Sequence, residues 1–213
     1  MLVTLLCITG AFWLAPLATV LLKRVTGISG SPTLTEITTG VAAGPFTLNG
    51  ADVTFDGVAH PVQVPTAGTN YSYWASLCAV CSVAPVAGIN NLAVYSDGSD
   101  SMGTGIGANA STVAGTNGSI TANYTQATGV VGVSGNEMGS GYGHGITTPV
   151  NLFAFTVSAP LSLPGSFTTG TDTAANSAAG RFADWCVLQL TVGTTGVTGV
   201  TPSETLTLVW DEF

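Results

Sequence analysis

Hydrophobic and polar positions alternate in short runs along most of this chain. In Phe182-Ala-Asp-Trp-Cys-Val-Leu-Gln-Leu-Thr-Val192, the residues Phe182, Asp184, Cys186, Leu188, Leu190 and Val192 share one face. All but Asp184 are apolar, the period-two signature of a half-buried strand. Thr205–Trp210 repeats it, with Leu206, Leu208 and Trp210 facing one way and Thr205, Thr207 and Val209 the other. Tyr71–Val83 reads as a long strand rich in aromatic and β-branched residues and ended by Ala84-Pro85. Leu92–Ser96, Ile120–Thr128 and Leu152–Val157 are further strand candidates. Asn49-Gly50 inside 46–55 marks a hairpin turn, because both residues tolerate positive φ. No helical period follows residue 24. About eight to ten strands separated by turn residues predict an all-β, antiparallel, jelly-roll-like sandwich.

The exception is the N-terminus. Residues 2–22, LVTLLCITGAFWLAPLATVLL, carry no charge and precede Lys23-Arg24. That length suits a membrane span, and the basic pair would put its C-terminal flank on the cytoplasmic side. A secretory signal fits poorly, since the basic flank lies at the wrong end. Three readings stay open: a membrane anchor, a packing helix of the pilin kind, or an apolar arm buried against neighbouring subunits. The arm is taken as residues 1–24, with Leu2, Leu5, Leu6, Ile8, Phe12, Trp13, Leu14, Leu17, Leu21 and Leu22 as its assembly residues. A Gly/Ser/Thr/Pro linker over 25–39 and a sandwich domain over 40–213 complete the division. The sandwich carries long Gly-rich loops at 98–145, where lengthy connections in compact domains commonly serve function. On this reading, deleting 1–24 leaves a folded β domain that no longer assembles.

Charge sharpens the picture. Charged residues make up 7% of the chain, and its only cations are Lys23, Arg24 and Arg181; about a quarter is ordinary. Phosphate recognition relies on Lys and Arg, so nucleic acid and nucleotides are excluded as expected partners. Mean hydropathy is +0.48 with 28 glycines, which argues for packed short strands rather than disorder. The surface must then be solvated by Ser, Thr, Asn and Gly, as suits close packing between copies.

Catalytic patterns are missing. Neither a Gly-x-Ser-x-Gly elbow, a His-Glu-x-x-His motif nor a P-loop occurs. Asp97-Gly-Ser-Asp100 lacks the alternating ligands of a calcium loop, and pairing Asp97 or Asp100 with Glu137 for glycoside cleavage has no support in the spacing. His60 precedes Pro61, and His144 lies in Gly-Tyr-Gly-His-Gly. No cofactor or metal is expected. Cys78-Ala-Val-Cys81 has zinc-like spacing, but residues three apart in a strand point to opposite faces. Cys78, Cys81 and Cys186 are either buried thiols or contribute one inter-sheet disulfide to Cys186; Cys7 lies in the apolar segment. Sequons occur at Asn70, Asn109, Asn117 and Asn123 and would mark surface loops in a glycosylating host.

Several motifs recur in a characteristic order: Tyr73–Pro85, Ile89–Leu92, Val94–Gly98, Tyr124-Thr-Gln-Ala-Thr-Gly129, Ala159–Ser162, Val187–Val192, Thr201–Thr207 and Trp210–Glu212. Over residues 58–213 this order resembles a family of virion structural proteins from tailed phages and related prophages. The resemblance implies a capsid or tail structural role, as a decoration or accessory subunit located in the virion, with no catalytic residues to carry over. The expected partners are other copies of the chain and other virion or filament subunits, with membrane contact through 2–22 kept open. Two alternatives remain. One is a pilin-like surface filament subunit whose apolar segment packs as a helix or complements a neighbour's sheet. The other is an extracellular carbohydrate-binding adhesin module using Tyr71, Tyr73, Trp74 or Tyr142 as stacking platforms.

Overall fold

The computed structural model describes residues 18–36, 62–83, 85, 87–113, 124–139, 141, 146, 149–165, 167–168, 183–199 and 204–213. Its strands are β1 (Thr19–Ile28), β2 (Ser31–Glu36), β3 (Thr69–Tyr71), β4 (Ala75–Val83), β5 (Gly88–Tyr95), β6 (Ile106–Val113), β7 (Gly129–Val130), β8 (Ser134–Gly135), β9 (Val150–Asn151), β10 (Leu161–Ser162), β11 (Phe167–Thr168), β12 (Trp185–Gly193) and β13 (Thr207–Glu212). All pairings between them are antiparallel.

The strands form two sheets packed as a sandwich. The larger runs β2-β1-β4-β12-β6-β9, with β3 continuing the line of β4 beside β12 and carrying the β7–β8 hairpin on its far edge. The smaller centres on β5, with β13 on one side and β10 and β11 on the other. The layers meet in one apolar core. Leu77, Ala110, Cys186 and Leu188 come from the large sheet, and Ile89, Leu92 and Val94 from the small one; all are buried.

Two local devices make this packing work. On β5 the register slips opposite Val209 and Asp211 at Asn91, whose φ is +51°. This bulge restores the phase of the strand, so Ile89, Leu92 and Val94 all reach the core despite their uneven spacing. Asparagine tolerates the left-handed conformation that other L-residues resist. Its side chain also donates to Asp211 Oδ2 at 2.8 Å. The second device interrupts the predicted strand 71–83 at Ser72–Trp74. There the Ser72 N–H donates to Leu190 O at 3.0 Å. Ser72 Oγ in turn accepts the Leu190 N–H at 2.9 Å, which turns the chain without orphaning the neighbouring strand.

Several expectations need correction. Residues 19–36 are neither arm nor linker: β1 and β2 form a hairpin that pairs along β4. Leu21 and Leu22, expected among the assembly residues, sit opposite Val80 and Ala79. Val20, Lys23 and Val25 are buried. The last residues of the apolar run, 19–22, therefore belong to a strand with buried residues on both faces, while 2–17 lie outside the described residues. Among the described residues no helix is long and apolar enough to cross a membrane. β12 likewise is not half-buried, because Trp185, Val187 and Gln189 on its reverse face are as enclosed as Cys186 and Leu188. The 152–157 segment forms a single 3-10 turn at Leu152–Ala154 instead of a strand; Asn151 caps it by accepting the Phe153 N–H at 2.9 Å. Residues 124–128 are not strand. The predicted hairpin at 46–55 and assembly residues Leu2 to Leu17 lie outside the described residues.

Candidate functional site

The reverse face of the large sheet is covered by an apron of chain, residues 124–139. Tyr73, Trp74, Ala127, Met138, Ile146 and Val187 form a second apolar cluster beneath it. Its anchor is Gln189, fully buried on the central strand β12. The Gln189 Nε2 group donates to Ser72 O and to Asn136 O, each at 2.7 Å. Gln189 Oε1 accepts the Met138 N–H at 2.9 Å. Two acceptors and one donor around the amide fix its orientation and leave none of these three backbone groups unsatisfied. The Trp74 indole N–H donates to Thr125 O at 3.0 Å, and the Tyr124 hydroxyl donates to Gly27 O at 3.0 Å. The tip of the β1–β2 hairpin is held too, by the Ser29 N–H on Gln126 Oε1 at 3.1 Å.

The apron projects the β7–β8 hairpin. Gly135 lies flat on Ser72 and Tyr73, where any Cβ would collide with backbone. Gln63 grips the other side, donating from Nε2 to Gly132 O at 2.6 Å and from its N–H to Val133 O at 3.2 Å. The hairpin is thus firmly seated, yet its tip is apolar and open: Val130 is 63% exposed, Val131 46% and Val133 40%. Three exposed valines on one short turn form a patch, unlike isolated surface apolar residues.

The second open feature is the outer edge of β13. Among the described residues its only strand partner is β5. Leu206, Leu208 and Trp210 pack against the core but stay half-exposed, whereas Ile89, Leu92 and Val94 on β5 are fully enclosed. Sequence reasoning placed these three in the core and did not foresee that they would stand at an open margin.

The polar groups considered as candidate chemistry have structural partners. Asp97 Oδ1 accepts the Ser99 N–H at 2.8 Å, and Asp100 Oδ1 the Met102 N–H at 3.0 Å, the local bonding of Asx turns. Glu204 Oε1 takes both the N–H and the hydroxyl of Ser101. Glu137 lies near Tyr71, whose pKa is raised by burial and further by that carboxylate. Among the described residues no group of three His, Cys, Asp or Glu could hold a metal. Cys78, Cys81 and Cys186 are buried thiols rather than a bridge. Burial pushes Cys186 up to about 12, and Cys78 to about 12 despite opposing effects from Lys23 and a backbone hydrogen bond. A nucleophilic thiol needs the reverse environment.

Tyr73 and Trp74 are enclosed and present no ring face for a sugar, while Tyr71 is half-exposed. Asn70 and Asn109 fall within β3 and β6 rather than in loops, and Asn70 Nδ2 donates to Gln63 O at 2.8 Å. Asn117, Asn123, Tyr142, His60, His144, Arg181 and Cys7 lie outside the described residues. Sequence reasoning missed Gln189 and the valine tip. A buried anchor amide leaves no periodic signal, but Val130-Val131-Gly132-Val133 inside a Gly-rich loop is an apolar turn visible in the sequence. No protein-family model, curated protein or solved structure matches this chain.

Proposed function

We propose that this protein is a structural subunit that self-associates, serving in a virion as a capsid or tail accessory component and performing no catalysis. The observation that carries the reading is the rigidly seated, uncharged Val130–Val133 tip, 40–63% exposed at its valines, on a chain with 7% charged residues. The tip itself carries no charged residue, so burying its valines against another copy desolvates no ion, although the chain's net charge of −8 lies elsewhere on it. The motif order over residues 58–213 supports the virion setting. The apolar residues 1–17 and the open margin of β13 supply further contact area.

Size-exclusion chromatography with light scattering, followed by electron microscopy of the full chain, tests this. Regular multimers are expected. A monodisperse monomer at tens of micromolar protein would remove the reading. Binding to a glycan array without self-association would favour the adhesin alternative, and helical fibres from a cell-surface source would favour the filament alternative.

A further inference from the structure

Among the described residues the two sheets are unequal in width, and one side of the smaller sheet has no further strand. Six strand positions, β2-β1-β4-β12-β6-β9, face three, β13-β5-β10/β11. β10 approaches β6. At the other end Glu212 reaches across the sandwich, its Oε2 accepting the Ala18 N–H at 2.8 Å at the start of β1. The open edge of β13 therefore faces the β1–β2 end of the large sheet. One more strand beside β13 would lie over that end and cover the half-exposed Leu208, Trp210 and Leu22.

β13 keeps its edge devices at one end, where Asp211 and Glu212 close the strand and the pairing with β5 slips beside Asp211, while Thr207–Trp210 carry no charge. Its six residues, Thr-Leu-Val-Trp-Asp-Glu, include no Lys and no Pro. Residues 2–17 meet the need of such an edge. They carry no charge, contain Leu, Ile, Val, Phe and Trp, and enter the described chain at Ala18, beside exposed Val83 and Phe213. A six-residue strand spans about 20 Å, which the sixteen residues 2–17 cover with chain to spare.

Resting on the self-association reading, we propose that residues 2–17 of a second copy add as a strand to the outer edge of β13. The direction of the chain favours a second copy over the same one. Ala18 is pinned at the C-terminal end of β13, so a directly continuing segment of the same copy would run parallel to it. All described pairings in both sheets are antiparallel, and parallel pairs are slightly weaker per residue. A second copy is free of that constraint. Backbone hydrogen bonds then give the affinity, and alternate apolar side chains close the core margin.

The test places the photo-crosslinker p-benzoylphenylalanine at position 209, on the outward face of β13, in the full chain. Particles are assembled from a mixture of isotopically light and heavy copies, irradiated, digested and mapped. Adducts joining position 209 of one copy to peptides from 2–17 of the other isotope are expected. They should vanish when every copy lacks residues 1–17. Adducts to 2–17 of the same copy, adducts only to residues 37–61 or elsewhere, or no adduct in assembled particles would each overturn the inference. Sedimentation of the same samples separates the two claims. Multimers without the inter-copy adduct remove strand addition alone, whereas monomers throughout remove self-association as well.

Discussion

Replacing Gln189 with alanine should release the apron that carries the valine tip. The substitution deletes three hydrogen bonds and strands Ser72 O, Asn136 O and the Met138 N–H beneath Met138 and Trp74. Each buried backbone group left unsatisfied costs about 1–3 kcal/mol, less where water enters the vacated space. A total near 3–5 kcal/mol is a large share of the roughly 5–15 kcal/mol that holds a domain folded. With a urea dependence of about 2 kcal/mol per molar, the unfolding midpoint should fall by roughly 1.5–2.5 M. Trp74 and Trp185, both buried, supply the fluorescence signal. Hydrogen exchange on the folded variant should show the Met138 amide losing protection before the β12 ladder does. The isosteric Gln189→Glu adds a pH arm. Its carboxylate would face two carbonyl oxygens, so its folded pKa must rise above the unfolded value of about 4.3. The folded form then holds the extra proton, and stability falls as pH rises through the interval between the two values. Gln189→Glu, whose protonated carboxyl donates one hydrogen bond where the amide donates two, should be less stable than wild type near pH 4 and weaken further toward neutrality. A Gln189→Ala midpoint within ~0.3 M of wild type, beyond the usual extrapolation scatter, would refute the anchoring role.

Other outcomes follow from single features. Asn91→Val forces a β-branched residue into φ of +51° and should cost about 1–2 kcal/mol or more, while Asn91→Gly should unfold within ~0.5 kcal/mol of wild type. Chemical denaturation of both variants checks the bulge. Cys78, Cys81 and Cys186 should resist iodoacetamide at pH 8 in the folded chain and react once it is unfolded, read by intact mass. Because Cys78 and Cys186 are raised from 9.0 to about 12, their contribution to stability is present below pH 9 and is lost as pH climbs toward 12. Alkaline unfolding that begins in that window, and eases in a Cys186→Ala variant, would match.

The sequence was informative where burial is one-sided and mute where it is two-sided. β13 shows its alternation openly because one face meets solvent, and Leu206, Leu208 and Trp210 pack toward the core as expected. β1 buries residues on both faces, so the end of the apolar run at 19–22 shows no alternation, and even Lys23 gave no warning because it is itself buried. The Ser72–Trp74 interruption was invisible because it depends on a hydroxyl meeting the backbone of β12, more than a hundred residues away in sequence. That β13 has β5 as its strand partner among the described residues depends on the order of the sheet, which no local pattern encodes. Cys186 could be given a face from its strand, but not whether a partner thiol would lie within bonding reach.

Where the apolar segment ends decides the most direct test. Val20, Leu22 and Val25 belong to β1, which pairs on both sides with β2 and β4. Removing residues 1–24 therefore takes away most of a strand of the large sheet and should abolish folding, seen as lost cooperative unfolding and aggregation. Removing residues 1–17 spares β1 entirely. Light scattering and electron microscopy of the full chain beside this shorter truncation measure the central claim. The full chain should form regular multimers, and the truncated chain a folded, cooperatively unfolding monomer. A monomeric full chain would contradict self-association, and multimers of unchanged size and yield from the truncated chain would contradict the role of residues 2–17 and leave the contact to the Val130–Val133 tip.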